Sequence, residues 1–287
     1  MTYNDLCKRL TAVYDHGEAV AVARMVLERA FGLSLTDICC GKVTQLSADE
    51  SQRLEEMTRR LCSSEPVQYV LGEAVFGGRT YHVDGSVLIP RPETEGLCAL
   101  AVEAAAATTT GGRVRILDIG TGSGCIATTL ALDVPGSDVT AWDISPEAIA
   151  TATGNAQRLG ATVRFVLQDA LHAPADDSLW DIIVSNPPYI RHAESRDMHP
   201  NVLRHEPHGA LFVPDDDPQL FYRAITSYAT HALRPGGRLL FETNTALTDA
   251  TARLMSDLGM GHVSVADDCF GKPRFACGTR IQALTAT

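Results

Sequence analysis

The run Val114-Arg-Ile-Leu-Asp-Ile119, followed at once by Gly120-Thr-Gly-Ser-Gly124 and then by the apolar stretch Cys125 to Leu132, leaves this chain few folds to choose from. A short, mostly apolar run bounded by glycines reads as a buried strand, and such strands belong to parallel sheets covered by helices. Strand, glycine loop and helix in succession make the first βα unit of a nucleotide-type fold, in which glycines let the backbone approach a ligand closely. The loop is G-x-G-x-G, with Cys125 where the dinucleotide fingerprint G-x-G-x-x-G has its third glycine, and this weakens an NAD reading.

The units that follow repeat the alternation. Val139 to Trp142 is a second strand ending in Asp143, nineteen residues after Gly124, where a carboxylate can accept both ribose hydroxyls of an adenosine. Ser145-Pro146-Glu147 starts a helix that Gly160 closes. Thr162 to Leu167 is a third strand leading to Gln168, Asp169 and Ala170, with Asp169 placed to touch an adenine edge, and Asp181 to Val184 is a fourth. A helix from Gln219 to Leu233, a turn at Pro235-Gly236-Gly237, a fifth strand Arg238 to Glu242, a helix Thr248 to Leu258 and two last β runs, Val263 to Ala266 and Arg274 to Cys277, complete the pattern. Alternating βα units with paired final strands predict a Rossmann-like α/β sheet, mostly parallel with an antiparallel strand near the end, over residues 93–287.

The fourth strand stops at Ser185-Asn186-Pro187-Pro188-Tyr189, where prolines forbid further ladder bonding. A polar Asn and an aromatic Tyr are thereby presented at the carboxyl end of a central strand, the edge where open α/β sheets bind ligands. The tetrapeptide suits a planar NH2 group. The Asn186 side-chain carbonyl and the Pro187 peptide carbonyl are two acceptors for its two hydrogens, and Tyr189 can lie against the flat face that carries it. Taken alone, the segment is also a strand with a proline-rich turn after it.

Ahead of this domain, residues 1–72 carry three- and four-residue apolar spacing, with Leu6, Leu10, Val13 and then Ala19, Val22, Met25, Val26 and Ala30, and with Ser47 capping a segment whose apolar face is Leu54, Met57 and Leu61. This predicts a small helical bundle whose part is to dock a substrate. Residues 73–92 change texture. Val75-Phe76, Thr80 to Val83 and Val87 to Ile89 are separated by Gly77-Gly78 and Asp84-Gly85, which predicts a β-hairpin linker with Asp-Gly as the strong turn signal, before a helix from Glu93 to about Ala107 and a linker Thr108 to Gly112.

A net charge of −11 and a pI of about 5.2 oppose a phosphate backbone, and no basic patch relieves this, so no direct nucleic-acid partner is expected. Eight cysteines without C-x-x-C spacing, and no apolar leader, fit reduced thiols in a cytoplasmic protein without a bound metal. No run reaches membrane-spanning length.

Five segments carry a narrower resemblance: Pro66-Val-Gln-Tyr-Val-Leu-Gly72, Leu88-Ile-Pro-Arg-Pro-Glu-Thr-Glu95, Ile116-Leu-Asp-Ile-Gly-Thr-Gly-Ser-Gly124, Val184-Ser-Asn-Pro-Pro-Tyr-Ile190 and Glu206-Pro-x-x-Ala-Leu211. Together they resemble the HemK/PrmC family, the S-adenosyl-L-methionine-dependent class I methyltransferases that modify a glutamine of class-1 peptide chain release factors. The resemblance implies methyl transfer to the side-chain amide nitrogen of the glutamine in a Gly-Gly-Gln tip, with S-adenosyl-L-homocysteine as product. It implies that Gly120, Thr121, Gly122, Ser123 and Gly124 hold the methionine moiety, that Asp143 holds the ribose, and that Asp169 and Ala170 flank the adenine. Asn186, Pro187, Pro188 and Tyr189 would clamp the amide, with Asn186, Pro187 and Tyr189 catalytic and Asn186 also touching the cofactor. The chain departs from the family pattern at Ala170, His205 and the residue after Glu242. A ribosomal-protein glutamine methylase and an adenine-N6 methyltransferase on nucleic acid share the Asn-Pro-Pro-Tyr logic and stand as alternatives.

Overall fold

The computed structural model describes residues 1–108 and 112–281, so the centre of the expected linker Thr108 to Gly112 lies outside the described residues. The chain forms two compact units. The first comprises Met1–Glu73 with Met198–Glu206, and the second comprises Ala74–Asp197 and the chain from Pro207 onward.

The first unit is helical because its apolar residues recur with the helix period and its helix starts are capped. Helices α1 (Tyr3–Leu10), α2 (His16–Phe31), α3 (Leu35–Cys39), α4 (Ala48–Cys62) and α5 (Val67–Leu71) follow one another. Thr2, Ser34 and Ser47 each accept a bond from the third helical N–H while an acid there bonds back to the cap. Leu6, Leu10, Ala19, Val22, Val26, Leu54, Met57 and Leu61 form the core. Met25, expected on the same stripe, is 39% exposed, since Val22 and Val26 already occupy the inward positions of that turn.

In the second unit, β1 (Glu73–Phe76) and β2 (Arg79–His82) form the hairpin. Its turn is Gly77-Gly78, both at positive φ (56° and 70°) as a tight two-residue hairpin turn requires. The Asp84-Gly85 turn expected between paired strands is not there. The Asp84 carboxylate accepts the Ser86 N–H (2.9 Å) and hydroxyl, the Val87 N–H closes on the Asp84 carbonyl at 3.2 Å to fold a local turn, and Val87 and Ile89 are buried outside any strand. The hairpin is fastened to its own unit: Asn155 bonds both the N–H and the C=O of His82, and Arg79 pairs with Asp133.

Then come α6 (Thr94–Ala106), β3 (Arg115–Ile119), α7 (Cys125–Asp133), β4 (Asp138–Asp143), α8 (Pro146–Leu159), β5 (Val163–Leu167), β6 (Trp180–Ser185), β7 (Ile190–Arg191), α9 (Pro200–His205, in the first unit), α10 (His208–Leu211), β8 (Phe212–Val213), α11 (Leu220–Ala232), β9 (Leu233–Glu242), α12 (Thr248–Asp257), β10 (Met260–Asp267) and β11 (Pro273–Arg280). The seven-stranded sheet has the order β10-β11-β9-β6-β3-β4-β5, parallel from β9 to β5, with β11 antiparallel to β9 and β10 antiparallel to β11. This is the mixed α/β sheet expected. Successive strand residues point to opposite faces, so Ile116, Ile182, Val184 and Leu240 meet α6 and α7, while Leu117, Ile183, Leu239 and Phe241 meet α11 and α12.

The turn expected at Pro235-Gly236-Gly237 is a bulge inside β9. Trp180 pairs with Leu233 and Ile182 with Arg238, so β9 carries the extra residues outward. Gly237 permits the close approach, for a Cβ there would lie 2.9 Å from the Arg234 carbonyl and 3.0 Å from that of Asp181.

Candidate active site

The sheet register decides which residues share its carboxyl edge. Ile119 of β3 pairs with Trp142 of β4 and with Ser185 of β6, and Ser185 pairs with Phe241 of β9. The next residue on each strand is therefore level with the others, and Glu242, Asn186, Gly120 and Asp143 form a row across four adjacent strands. At ~4.8 Å per strand the row spans ~14 Å, the length of a nucleoside with a short substituent. It straddles β3 and β6, where the chain turns from building one half of the sheet to building the other, the position at which such sheets bind ligands.

The glycine loop rises from the middle of this row. Gly120, Gly122 and Gly124 have positive φ (77°, 53° and 77°), which explains their number. Gly120 and Thr121 donate to the Trp142 carbonyl at 2.9 Å each, which folds the loop back over β4. A Cβ on Gly120 or Gly122 would meet no atom within 4 Å, so both border open space, whereas one on Gly124 would strike Ala152 of α8 at 2.8 Å. Two of the three glycines thus line a cradle and the third packs loop against helix. Thr121 and Ser123 are buried, and the Thr121 hydroxyl donates to Asp118 at 2.7 Å, so these two face the cradle with backbone rather than side chain. Asp118 is fully buried, also accepts the Ala127 N–H, and is pushed up to about 7 by burial, with Asp143 adding repulsion.

Asp143 is half-buried at the end of β4. One of its oxygens accepts the Gly122 N–H (2.8 Å) and the other that of Ser145 (3.0 Å), so the carboxylate is oriented by the loop it faces. Asp169 and Ala170 stand beyond β5. The Asp169 carboxylate accepts the Leu171 N–H (2.8 Å) and meets His172 Nδ1 at 2.6 Å, and this bond to His172 holds it below the usual carboxylate range. Ala170 faces a separate cavity of about 850 Å³ lined also by Leu171, Pro174, Asp176, Tyr228 and Arg280. That cavity includes neither the glycine loop nor Asn186, so it is not the cradle.

On the β6 side, Pro187 is buried while Asn186, Pro188 and Tyr189 are half-buried. Asn186 Nδ2 lies 3.4 Å from the hydroxyl of Thr94, the first residue of α6, which leaves the carbonyl end of the amide to accept. Tyr189 packs against the α11 face of the sheet, and burial, with Glu242 next, pushes its hydroxyl up to about 12. It stays protonated at neutral pH. Glu242 is 2% exposed and burial pushes it up to about 7, against the Thr94 hydroxyl bond and Arg274, which lower it.

The structure brings Gly120 to Gly124, Asp143 and Asn186 to Tyr189 to one edge, and puts Asp169 and Ala170 at its β5 end. It adds three residues that the sequence reading did not place in the site: Glu242, Thr94 and Ile144. Ile144, directly after Asp143, is 68% exposed, unusual for so apolar a side chain. Glu242 had a legible signal, an acid ending an apolar strand just as Asp143 does.

Comparison with known proteins agrees with this architecture. The family model for a methyltransferase domain matches residues 111–278, and that for a PrmC N-terminal domain matches residues 3–72. A release factor glutamine methyltransferase of Bacteroides thetaiotaomicron is 43% identical over 94% of this chain and 96% of its own length. One of Flavobacterium psychrophilum is 37% identical over 92% and 93%. The crystal structure of a methyltransferase from Pyrococcus furiosus shares the fold at a TM-score of 0.50 and 16% identity, over 82% of this chain and all of that one. Matched along both of its units by relatives of nearly its own length, the chain belongs to the family of release factor glutamine methyltransferases.

Proposed function

We propose that this enzyme methylates the side-chain amide nitrogen of the glutamine in the Gly-Gly-Gln tip of a class-1 peptide chain release factor, using S-adenosyl-L-methionine. The observation that carries the reading is the level row of Asp143, Gly120 and Asn186 on adjacent strand ends, which sets an amide acceptor beside an adenosine-sized cradle. Gly120, Gly122 and the backbone of Thr121, Ser123 and Gly124 would hold the methionine end. Asp143 would take the ribose, Ile144 would cover the adenine, and Asp169 with Ala170 would border it. The open space above Gly120 and Gly122 and the oriented Asp143 carboxylate fit that cofactor. When bound, it supplies a methyl group already activated by its sulfonium.

What remains for the chain is to handle a poor nucleophile, an amide nitrogen whose lone pair is conjugated with its carbonyl. Asn186 Oδ1 and the Pro187 carbonyl accept the two N–H bonds and so fix the nitrogen in place. Both bonds strengthen as positive charge grows on nitrogen, which is where preorganised acceptors lower a barrier. Tyr189 and Pro188 wall the flat amide. With its hydroxyl pushed up to about 12, Tyr189 acts as a surface rather than a base, and the nitrogen's proton leaves to water. The helical unit would dock the release factor. All eight cysteines are free thiols, in keeping with a cytoplasmic place of work. Among the described residues no helix is long and apolar enough to cross a membrane.

Transfer of labelled methyl to purified release factor, beside a factor whose Gly-Gly-Gln glutamine is alanine and beside DNA, tests the reading. Label on the unaltered factor alone is the expected outcome. Label on DNA instead would reassign the substrate. Asn186→Ala should lower kcat by about a hundredfold or more, the size seen when one charge-stabilising partner is removed, and leave cofactor affinity within a few fold.

A further inference from the structure

The Asn186 amide has two ends of nearly equal shape, and only one of them suits the proposed reaction. A carbonyl turned to the substrate accepts from its NH2 group; an amide turned half a revolution presents NH2 to NH2 and repels it. Something must select the orientation.

Thr94 is 3% exposed, and its hydroxyl lies 3.4 Å from Asn186 Nδ2 and close enough to the buried Glu242 carboxylate to lower that group's proton affinity as a donor. A hydroxyl has one hydrogen, and an ionised carboxylate can only accept. The Thr94 hydrogen is therefore directed at Glu242, its lone pairs face Asn186, and Asn186 meets them with its NH2 end. We infer that Glu242 is a positioning residue that acts through Thr94 to hold the Asn186 amide with its oxygen toward the substrate. The inference rests on the proposed role of Asn186 as amide acceptor and adds a determinant of its direction.

The sheet supplies the reach. Glu242 and Asn186 end neighbouring parallel strands at the same level, and Thr94 caps the row from the start of α6, so three residues far apart in sequence meet in one line. The second carboxylate oxygen, Oε2, is buried with no hydrogen-bond partner among the described residues, as befits a group placed for one bond rather than for its own comfort. The charged and titratable groups acting on Glu242 are Arg274 of β11, which also bonds Asp268 and the Thr243 carbonyl, and Glu93 and Arg91 ahead of α6. Glu242 in turn acts on Tyr189 after β6 and on Tyr222 of α11. Burial outweighs the two arginines and raises the proton affinity of the carboxyl group until it changes ionisation near neutrality. A protonated Glu242 can donate to Thr94, freeing the Thr94 hydrogen to bond Asn186 Oδ1, and the direction of the line is lost. Methyl transfer should accordingly fall as pH drops through about 7 and level off at the lower rate of an amide with no preferred direction.

The test uses Thr94→Val, which keeps the shape and removes the hydroxyl, with Thr94→Ser to restore it and Glu242→Gln to remove the charge. The first readout needs no substrate. The 15N–1H2 side-chain signals of Asn186 are followed against pH beside the 13C signal of the Glu242 carboxyl group. In the unaltered enzyme and in Thr94→Ser both should shift with one midpoint, and in Thr94→Val the Asn186 signals should no longer follow. The second is steady-state transfer to release factor: Thr94→Val should lose tenfold or more in kcat and the limb below about pH 7, with cofactor affinity near that of the unaltered enzyme. Asn186 signals that ignore the titration of Glu242, or a Thr94→Val enzyme with unchanged kcat and pH profile, overturn the relay. Absence of any transfer by the unaltered enzyme rejects the substrate instead, and the amide signals still decide the relay.

Discussion

Alanine at Gly124 and alanine at Gly120 should harm this enzyme in opposite ways, although the two glycines share a loop and a φ of 77°. A left-handed conformation costs an L-residue roughly 1–2 kcal/mol at either position. At Gly124 the new Cβ also lies 2.8 Å from the Ala152 Cβ and 3.1 Å from its Cα, and backbone within α8 cannot swing aside. Overpacking of this kind adds about 1–3 kcal/mol, so Gly124→Ala should cost about 2–5 kcal/mol in all. Gly120→Ala meets nothing within 4 Å and should cost only the conformational part. At roughly 2–4 °C per kcal/mol for a unit of this size, melting falls by about 10 °C for Gly124→Ala and by about 4 °C for Gly120→Ala. Affinity should run the other way. The Gly120 methyl fills the space assigned to the cofactor and should weaken S-adenosylhomocysteine binding tenfold or more, ~1.4 kcal/mol, while folded Gly124→Ala binds almost normally. Calorimetric melting without ligand and titration calorimetry with S-adenosylhomocysteine measure the two effects separately. Equal melting shifts, or a Gly120→Ala enzyme that binds as tightly as the unaltered one, would refute the division of labour drawn from the loop.

Asp143→Ala removes the acceptor of the Gly122 and Ser145 N–H groups together with the proposed ribose partner, so cofactor affinity should drop at least tenfold before any loss in saturated turnover, by titration calorimetry and initial rates. Tyr189→Phe should keep turnover within a few fold and leave the pH profile unmoved, because the hydroxyl, pushed up to about 12, does not ionise in the working range; Tyr189→Ala should raise KM for the protein substrate. Asp118 is held at about 7 in the fold against 3.8 for a free side chain, so the native state binds its proton more tightly. Stability from this group is greatest at low pH, declines as pH rises from about 4 to about 7 and is level above, a change of up to about 4 kcal/mol at 1.36 kcal/mol per unit. Glu242 adds in the same direction, and urea unfolding of Asp118→Asn across that window should show a shallower slope than the unaltered chain.

The legible parts of the molecule were those whose cause is local. Strands β3 and β6 announce themselves by their apolar residues, Ile116, Leu117 and Ile119 in one and Ile182 to Val184 in the other, because both of their faces are covered, and helices α4 and α8 because their caps, Ser47 and Ser145, are side chains adjacent to the backbone they bond. The misplaced features turn on distant partners. Asp84-Gly85 has the chemistry of a hairpin turn, yet the pairing went to Gly77-Gly78, whose hairpin is held by Asn155 and Asp133 from later helices. Pro235 to Gly237 has the composition of a turn, but β6 runs alongside and draws it into the sheet as a bulge. The site divides in the same way. Asp143 and Asn186 could be placed because each ends its strand with a polar group after an apolar run. Glu242 ends β9 in the same manner, and what gives it a role is a threonine about 150 positions upstream and an asparagine one strand over, a juxtaposition set by the β6–β9 register and the entry of α6. Motifs mark the residues that touch ligands, because those need particular atoms at the end of particular strands. The residues that aim them are chosen by the sheet, and any chain segment that the fold brings level with the row can supply them.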